Sequence, residues 1–332
     1  MIVKSIKLVN FRNHKEYYLE CNDETSLILG KNGCGKTSVL EAIYILMRGK
    51  SFRAVDSEIL KRGQDYYRIE LLFYNGDKII ATFDGKTKYF TILDKKTKRL
   101  PNKNKYPVIL FIPSDLNLIS HSPGRRREYF DRVFGQLDNK YTSILNKYEK
   151  AIKQRNELLK AESLSKEQLF SWNVLLSNYG VELYHYRTNC IDQFNQRITN
   201  LYRSIAENDD NIFINYKTES PPSSEEYLKK LEQSFEKDSY LGHTTFGIHR
   251  DDYIFEFNGQ PADGSASRGE TRSIILAVKF IEAELIHEQT NKKPLILLDD
   301  VFSELDETRR KCLIKNFKDH QVIITSVESI ND

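Results

Sequence analysis

Residues 30–37 constrain this chain more than any other segment, because they match the phosphate-binding pattern GxxxxGK[ST] at every fixed position. The apolar run 26–29 before them predicts a buried strand, and residues 37–47 have the apolar spacing of a helix. In a strand–loop–helix context, backbone N–H groups and the positive end of the helix enclose a polyphosphate. We therefore predict a nucleoside triphosphate site in this loop, whose residues are Gly30, Lys31, Asn32, Gly33, Cys34, Gly35, Lys36 and Thr37. Lys36 would pair with the β- and γ-phosphates, and the Thr37 hydroxyl would bind Mg²⁺.

A second apolar run, residues 295–298, ends in two carboxylates, Asp299 and Asp300. This is the layout of a Walker B strand. We predict that Asp299 holds Mg²⁺ together with Thr37, and that Asp300 is the general base for the attacking water. Because aspartate is one methylene shorter than the glutamate common at that position, we predict slow hydrolysis and a protein that acts as a binding switch.

Ser267 and Gly269 stand at the start of a predicted helix upstream of the Walker B strand. A hydroxyl and free N–H groups there suit a γ-phosphate, although the same residues also serve as an ordinary helix cap. Their place in the chain favours the first interpretation, because ABC-type ATPases have their signature loop in this order. In that class the signature loop covers the nucleotide of the opposite subunit. Residues 303–306, after the Walker B strand, match the D-loop of the same class.

Composition narrows the class of protein. The 332 residues contain 50 Lys and Arg and 47 Asp and Glu, a formal net charge of +3, so any basic surface must be local. Four widely separated cysteines form no CxxC pair, which argues against a disulfide framework or a zinc site. No signal-peptide pattern is present, and no apolar run approaches the ~20 residues of a membrane span. We expect a soluble, cytoplasmic protein without a membrane partner.

The apolar spacing changes twice along the chain. Residues 1–112 alternate as strands around the helix of the phosphate loop, whereas residues 137–206 repeat at helical intervals of three and four. Strand-like segments return after residue 240. The pattern predicts an α/β fold with an ATP-binding head formed by 1–115 and 240–332, into which a helical subdomain, 116–239, is inserted.

Together these motifs resemble the RecF family, bacterial recombination mediators related to the heads of SMC-type ATPases. The matching segments cover nearly the whole chain and are 10–13, 36–43, 49–53, 113–116, 122–127 with Asp131, 153–156, 247–252, 267–270 and 298–306. The resemblance implies an ABC/SMC-type P-loop ATPase head with a mixed sheet and an inserted α-helical subdomain. It adds Arg12 and Asn13 to the cofactor-binding residues. One departure is Glu270, where the family usually has Gln.

The resemblance also implies cofactors and partners. The cofactors are ATP and Mg²⁺, and the protein is expected to form an ATP-dependent homodimer. The DNA partner is single-stranded, gapped or junction DNA. A RecR-type mediator and RecA are the protein partners, in gap repair, replication restart and SOS induction.

Two basic segments are candidates for DNA contact. By resemblance, Arg126 and Arg127 are the matching pair, and we predict that they bind DNA. The lysines between residues 95 and 105 form a second cluster, which fits either a phosphate-binding surface or a solvated loop.

Two other functions share part of the pattern. The ATPase subunit of a membrane transporter, which is the main alternative, has the same loop, signature and D-loop, but it usually carries a Q-loop glutamine and a switch histidine. Neither has a clear counterpart here, and Ser326 stands where the histidine would be. A P-loop kinase for a small metabolite needs no signature loop. The leading prediction is therefore a DNA-binding mediator.

Overall fold

A computed structural model describes residues 2–161 and 166–327. In chain order its strands are β1 (Val3–Phe11), β2 (His14–Glu20), β3 (Thr25–Leu29), β4 (Tyr67–Phe73), β5 (Lys78–Phe83), β6 (Lys88–Ile92), β7 (Lys95–Thr97), β8 (Val108–Phe111), β9 (Ile212–Lys217), β10 (Asp252–Phe257), β11 (Gln260–Pro261), β12 (Leu295–Asp299) and β13 (Val322–Ser326). Its helices are α1 (Lys36–Arg48), α2 (Asp56–Ile59), α3 (Pro123–Leu137), α4 (Asn139–Leu159), α5 (Lys166–Ala206), α6 (Ser224–Gln233), α7 (Phe235–Leu241), α8 (Ala262–Ser265), α9 (Arg268–Thr290) and α10 (Glu307–Phe317). No helix within these described ranges is long and apolar enough to cross a membrane.

The chain divides into two compact units. The first comprises residues 1–116 and 282–332 and the second comprises 117–281, so that the chain re-enters the first unit within α9. The predicted limits of the ATP-binding head, 1–115 and 240–332, concern function and stay a prediction.

The first unit contains an antiparallel sheet with strand order β2-β1-β4-β5-β6-β7. Alternating side chains of β4 are buried, as a sheet with one face on a core requires. β4 and β5 form a hairpin around Asn75-Gly76, a sequence typical of such turns, in which Gly76 adopts a φ of 87° that favours glycine.

A parallel sheet with strand order β3-β13-β12-β8 forms the other layer of the first unit. Every residue of β8, β12 and β13 is buried, which explains why these strands are continuous apolar runs. The Gln321 side chain joins the two sheets, because it hydrogen-bonds the N–H and the carbonyl of Val3, each at 2.7 Å. The carboxyl ends of the parallel strands meet at one edge, where the phosphate loop follows β3.

The second unit is built on α4 and on α5, which is 41 residues long. A buried ion pair between Arg155 and Asp238, 2.7 Å apart and both fully buried, links α4 to α7. A second buried cation, Arg187 of α5, pairs with Asp131 and Asp251. Buried charges of this kind require such partners, since an isolated charge is costly in a protein interior.

A three-stranded sheet with order β11-β10-β9 completes the second unit. β9 is an edge strand, but α5 covers its polar groups. Asn195 exchanges hydrogen bonds of 2.8 and 2.9 Å with the N–H and carbonyl of Ile214, and Thr199 does the same with Ile212 at 3.2 and 2.8 Å. The outward-facing backbone groups of Ile212 and Ile214 are therefore satisfied by helix side chains.

Candidate nucleotide-binding site

The phosphate loop lies between β3 and α1, as the sequence predicts. Gly35 is the N-cap of α1 and has a φ of 104°, a left-handed conformation that glycine adopts without strain. A Cβ at this position would lie 2.5 Å from the Asn13 side-chain oxygen. A Cβ at Gly30 would lie 2.6 Å from the Cys34 sulfur. Close approach therefore disfavours a side chain at both fixed glycines of the motif, and at Gly35 the backbone angle does so as well.

The ammonium group of Lys36 lies inside its own loop. It donates hydrogen bonds to the carbonyls of Gly30, at 2.5 Å, and of Lys31, at 3.3 Å. The side chain is buried, so its charge is directed into the concave side of the loop. A buried cation at this position provides the attraction that a β- or γ-phosphate needs.

Thr37 and Asp299 meet at the edge of the parallel sheet. The Thr37 hydroxyl lies 2.8 and 3.0 Å from the two carboxylate oxygens of Asp299, although 262 positions separate them in sequence. Thr325 of β13 holds the same carboxylate, because its hydroxyl donates to Asp299 at 2.9 Å. That hydroxyl also accepts a hydrogen bond from the Asp300 N–H at 3.0 Å. Thr325 thus fixes both Walker B residues, a role that the sequence alone did not reveal.

Asp300 follows β12 in a left-handed conformation, with a φ of 52°. Partial burial raises the pKa of its carboxyl, and the neighbouring carboxylates of Asp299 and Glu304 raise it further, against the opposing effect of Lys36. A carboxylate with a raised pKa is a stronger base. The environment of Asp300 therefore suits the role of general base predicted for it.

Glu41 of α1 is a second element of the site that the sequence prediction missed. Its carboxylate is fully buried and accepts hydrogen bonds from the Arg12 guanidinium at 2.9 and 2.7 Å, from Arg53 at 2.9 and 3.1 Å, and from the Ser51 hydroxyl at 2.6 Å. Burial alone would raise the pKa of Glu41, but these donors hold it below its ordinary value. The available signal was a glutamate among the apolar residues of α1.

Arg12 and Asn13, predicted to bind the cofactor, lie at the turn between β1 and β2. The Asn13 amide donates to the carbonyl of Gly33 at 3.2 Å, and His14 lies 3.1 Å from the carbonyl of Gly35. Arg12 has a φ of 55° and is anchored to Glu41. The turn therefore braces the phosphate loop from outside.

Ser267 and Gly269 lie at the start of α9, in the second unit. Ser267 and Glu270 form a capping box. The Ser267 N–H donates to the Glu270 carboxylate at 2.6 Å, and the Glu270 N–H donates to the Ser267 hydroxyl at 3.3 Å. Ser267 therefore caps α9 in this structure, and the Glu270 carboxylate occupies the Ser267 N–H, which would otherwise be available to an anion.

Arg126 and Arg127, predicted to bind DNA, are engaged within the second unit. Arg126 forms a bidentate ion pair with Asp252, with both distances 2.7 Å, and only 12% of its side chain is exposed. Arg127 donates to the carbonyl of Asp251 at 2.6 Å. These contacts stabilise the packing of α3 against β10, and the DNA role of the pair stays a prediction.

The site has the ligands that Mg²⁺ usually takes from a protein. Mg²⁺ is commonly bound by one or two protein oxygens and completed by phosphates and water. Thr37 and Asp299 supply a hydroxyl and a carboxylate side by side. Within residues 2–161 and 166–327, no group of three or more His, Cys, Asp or Glu side chains forms a metal site of its own. The paired Thr37 and Asp299 therefore fit a metal that arrives with a nucleotide.

The glycine loop after β3 and the acidic end of β12, side by side on a parallel sheet, define a P-loop nucleotide-binding protein. The profile of a family described as an AAA ATPase domain matches residues 1–239. A curated relative, the DNA replication and repair protein RecF of Clostridioides difficile (strain 630), is 34% identical over 344 residues, which cover 99% of this chain and 92% of the relative. The chain belongs to the RecF family.

Solved structures agree with this assignment. A structure described as the recombination mediator protein RecF with ATP, from the RecFOR pathway, matches with a TM-score of 0.89 and 29% identity, covering 100% of this chain and 93% of the other. An SMC head bound to the C-terminal winged-helix domain of ScpA matches with a TM-score of 0.55 at 14% identity over 99% of this chain and 90% of that one, a likeness of fold alone. The predicted fold class, an α/β head of the ABC/SMC type, is confirmed, and its strands are divided between an antiparallel and a parallel sheet.

Proposed function

We propose that this chain is an ATP-dependent, DNA-binding recombination mediator of replication and repair, which binds single-stranded or gapped DNA and promotes RecA loading. The observation that carries the proposal is the direct contact of Thr37 with Asp299, in a chain that matches RecF proteins over nearly its whole length. The transporter alternative is not favoured, because the full-length relatives are DNA replication and repair proteins.

In the proposed ATP-bound state, Lys36 exchanges the carbonyls of Gly30 and Lys31 for the β- and γ-phosphates. Thr37 and Asp299 hold Mg²⁺, which neutralises charge that develops on the phosphates. Asp300 takes the proton of the attacking water. We propose slow, DNA-stimulated hydrolysis, so that the bound nucleotide acts mainly as a switch.

The proposal includes an ATP-dependent homodimer in which Ser267 and Gly269 contact the γ-phosphate held by the partner subunit. The capping box bears on this step. The Glu270 carboxylate bonds the Ser267 N–H at 2.6 Å, so a phosphate that approaches this helix start must displace a like charge. Glu270 therefore opposes closure of the dimer over ATP.

Partners follow from the same family assignment. We propose a RecR-type mediator and RecA as protein partners in gap repair, replication restart and SOS induction. The ATP-binding head would comprise residues 1–115 and 240–332, and the helical subdomain residues 116–239.

The test measures binding of a duplex containing a single-stranded gap by fluorescence anisotropy, with ATP, with ADP and without nucleotide, while light scattering follows the oligomeric state. We expect DNA binding and dimer formation to require ATP, and we expect Lys36→Ala to abolish both. Lys15→Ala, which removes an exposed lysine of the same unit, is the matched control. DNA affinity equal with and without ATP, or an ATP-bound monomer on DNA, would contradict the proposal.

A further inference from the structure

A groove of 790 Å³ lies in the first unit, at the edge of the parallel sheet opposite to the phosphate loop. Its lining includes residues that immediately precede the parallel strands, such as Glu24 before β3, Gln321 before β13 and Pro294 before β12. The nucleotide site lies where the same strands end. Because parallel strands all run in one direction, the two sites are separated by the length of the sheet.

Charges are segregated along this edge. The strand order is β3-β13-β12-β8. The carboxylates Asp23 and Glu24 precede β3, whereas Lys292 and Lys293 precede β12, and Lys103 and Lys105 precede β8. Two carboxylates therefore lie at the β3 side of this edge and four lysines at the β12 and β8 side, while Asp77, Lys78, Lys318 and Asp319 add charges of both signs to the groove.

The four lysines, which we name the lysine cluster (Lys103, Lys105, Lys292 and Lys293), have no carboxylate within ion-pair distance in the part of the chain that the structure describes. Two further cations, Arg48 and Lys50, lie near Lys105. Burial lowers the pKa of Lys105, and the nearby Arg48 and Lys50 lower it further. Like charges held together without counter-charges favour the binding of a polyanion.

The basic surface continues beyond the groove. Residues 86–105 contain eight Lys and Arg, which are Lys86, Lys88, Lys95, Lys96, Lys98, Arg99, Lys103 and Lys105, against a single carboxylate, Asp94. Lysines on the edge strand β7 are also expected as a guard against aggregation. That explanation does not cover Lys292 and Lys293, which follow α9 and are remote in sequence.

We propose that the lysine cluster and the adjoining basic segment, residues 86–105, bind the phosphate backbone of nucleic acid. The inference rests on the proposed DNA-binding function and assigns a contact surface to it. Apart from Lys88, which pairs with Asp56 at 2.8 Å, and the half-buried Lys105, these lysines are exposed and fit a chain of phosphates, whose binding depends on charge and releases counterions. Asp23 and Glu24, at the β3 side of the groove, repel phosphates and so favour a path of the backbone from the β12 and β8 side towards residues 86–105.

The test compares two double variants, Lys103→Gln/Lys105→Gln and Lys292→Gln/Lys293→Gln, with the wild type in ATP-dependent binding to gapped DNA over a salt titration. Each lost phosphate contact should reduce the log–log salt slope by about 0.7–0.9 and weaken binding roughly five- to tenfold at about 0.1 M salt. ATP affinity should not change, because the nucleotide site lies at the other sheet edge. The matched control is Lys147→Gln/Lys150→Gln on the exposed face of α4.

Lysine-to-arginine versions of both double variants separate charge from fold, since they keep the charge and should keep wild-type DNA affinity and slope. If the glutamine variants bind ATP and DNA as the wild type does, with unchanged slope, the inference is wrong and the groove serves another partner, such as an acidic protein segment. An equal loss in the α4 control would also refute it. A wild type that fails to bind DNA with ATP would instead contradict the proposed function.

Discussion

Replacing Thr325 with valine tests whether the Walker B geometry depends on β13. Valine keeps the shape of threonine but lacks the hydroxyl, which donates to Asp299 at 2.9 Å and accepts from the Asp300 N–H at 3.0 Å. Both aspartates would remain in place by other bonds, since Asp299 also contacts Thr37 and the Asp300 N–H also donates to the Thr325 carbonyl at 3.2 Å.

The size of the effect follows from these contacts. A hydrogen bond to a charged group contributes about 1.5–3 kcal/mol. Because the Thr37 hydroxyl remains as a second partner of Asp299, we expect part of this, about 1–2 kcal/mol, to be lost from the Mg²⁺-dependent part of ATP binding. Since each 1.4 kcal/mol is a factor of ten, ATP affinity in saturating Mg²⁺ should fall roughly 5- to 30-fold.

The assay is isothermal titration of ATP at a series of Mg²⁺ concentrations, with a second series in EDTA. Thr325→Ser is the matched control, because it keeps the hydroxyl and should keep Mg²⁺-dependent binding close to that of the wild type. The loss in Thr325→Val should vanish in EDTA. Equal Mg²⁺-dependent affinities for the valine and serine variants would refute the role assigned to this hydroxyl.

Four further predictions concern Asp300, Glu270, Ser267 and Glu41. Asp300→Asn should trap ATP-bound dimers. The rate of wild-type hydrolysis should rise with pH through a pKa above the ordinary aspartate value, because Asp300 acts as a base only after it loses its proton. A pH-independent rate in a phosphate-release assay would contradict this role. Glu270→Gln removes the charge that a γ-phosphate must displace, so light scattering should detect ATP-dependent dimers at a lower protein concentration than for the wild type. Ser267→Arg should abolish these dimers without loss of ATP binding by the monomer. Glu41→Gln removes the counter-charge of two guanidinium groups, those of Arg12 and Arg53. Breaking a wholly buried ion pair costs about 3–5 kcal/mol. Because the side chains of Arg12 and Arg53 are 22% and 37% exposed, we expect the free energy of unfolding, measured in urea, to fall by less, about 2–3 kcal/mol. Folding lowers the pKa of Glu41, so the stabilisation by its carboxylate should be complete above the pKa of a glutamate in the unfolded chain. It should disappear as the pH falls through the pKa of Glu41 in the folded protein. The control is Glu16→Gln, at an exposed ion pair, which should leave the free energy of unfolding nearly unchanged.

The sequence predicted the parts of the site that depend on local order. The phosphate loop and the Walker B strand are contiguous patterns, and the structure brings Thr37 and Asp299 within 2.8 Å. The capping role of Ser267 was equally local, because a serine three residues before a glutamate marks a helix start.

Long-range partners could not be predicted in the same way. Thr325 acts through register, since it stands opposite Asp299 on the neighbouring parallel strand. The family resemblance predicted that Arg126 and Arg127 bind DNA, but the counter-charge of Arg126, Asp252, lies 126 positions away. The sequence does not show which strand a helix packs against. An arginine that forms an ion pair within the protein therefore cannot be distinguished, from sequence alone, from one that binds DNA.

The junction between α5 and β9 makes the long helix a mechanical part of the sheet. Asn195 and Thr199 are one helical turn apart, a rise of about 6 Å, and this matches the ~6.6 Å between Ile212 and Ile214 on the strand. A slide of the helix by a single residue would break all four hydrogen bonds at once. The helix α5 has 41 residues and is about 60 Å long. It cannot shift along β9 by one residue at a time and keep these hydrogen bonds. If the far end of α5 tilts, β9 must move with the helix as one rigid body, or the four hydrogen bonds between them must break.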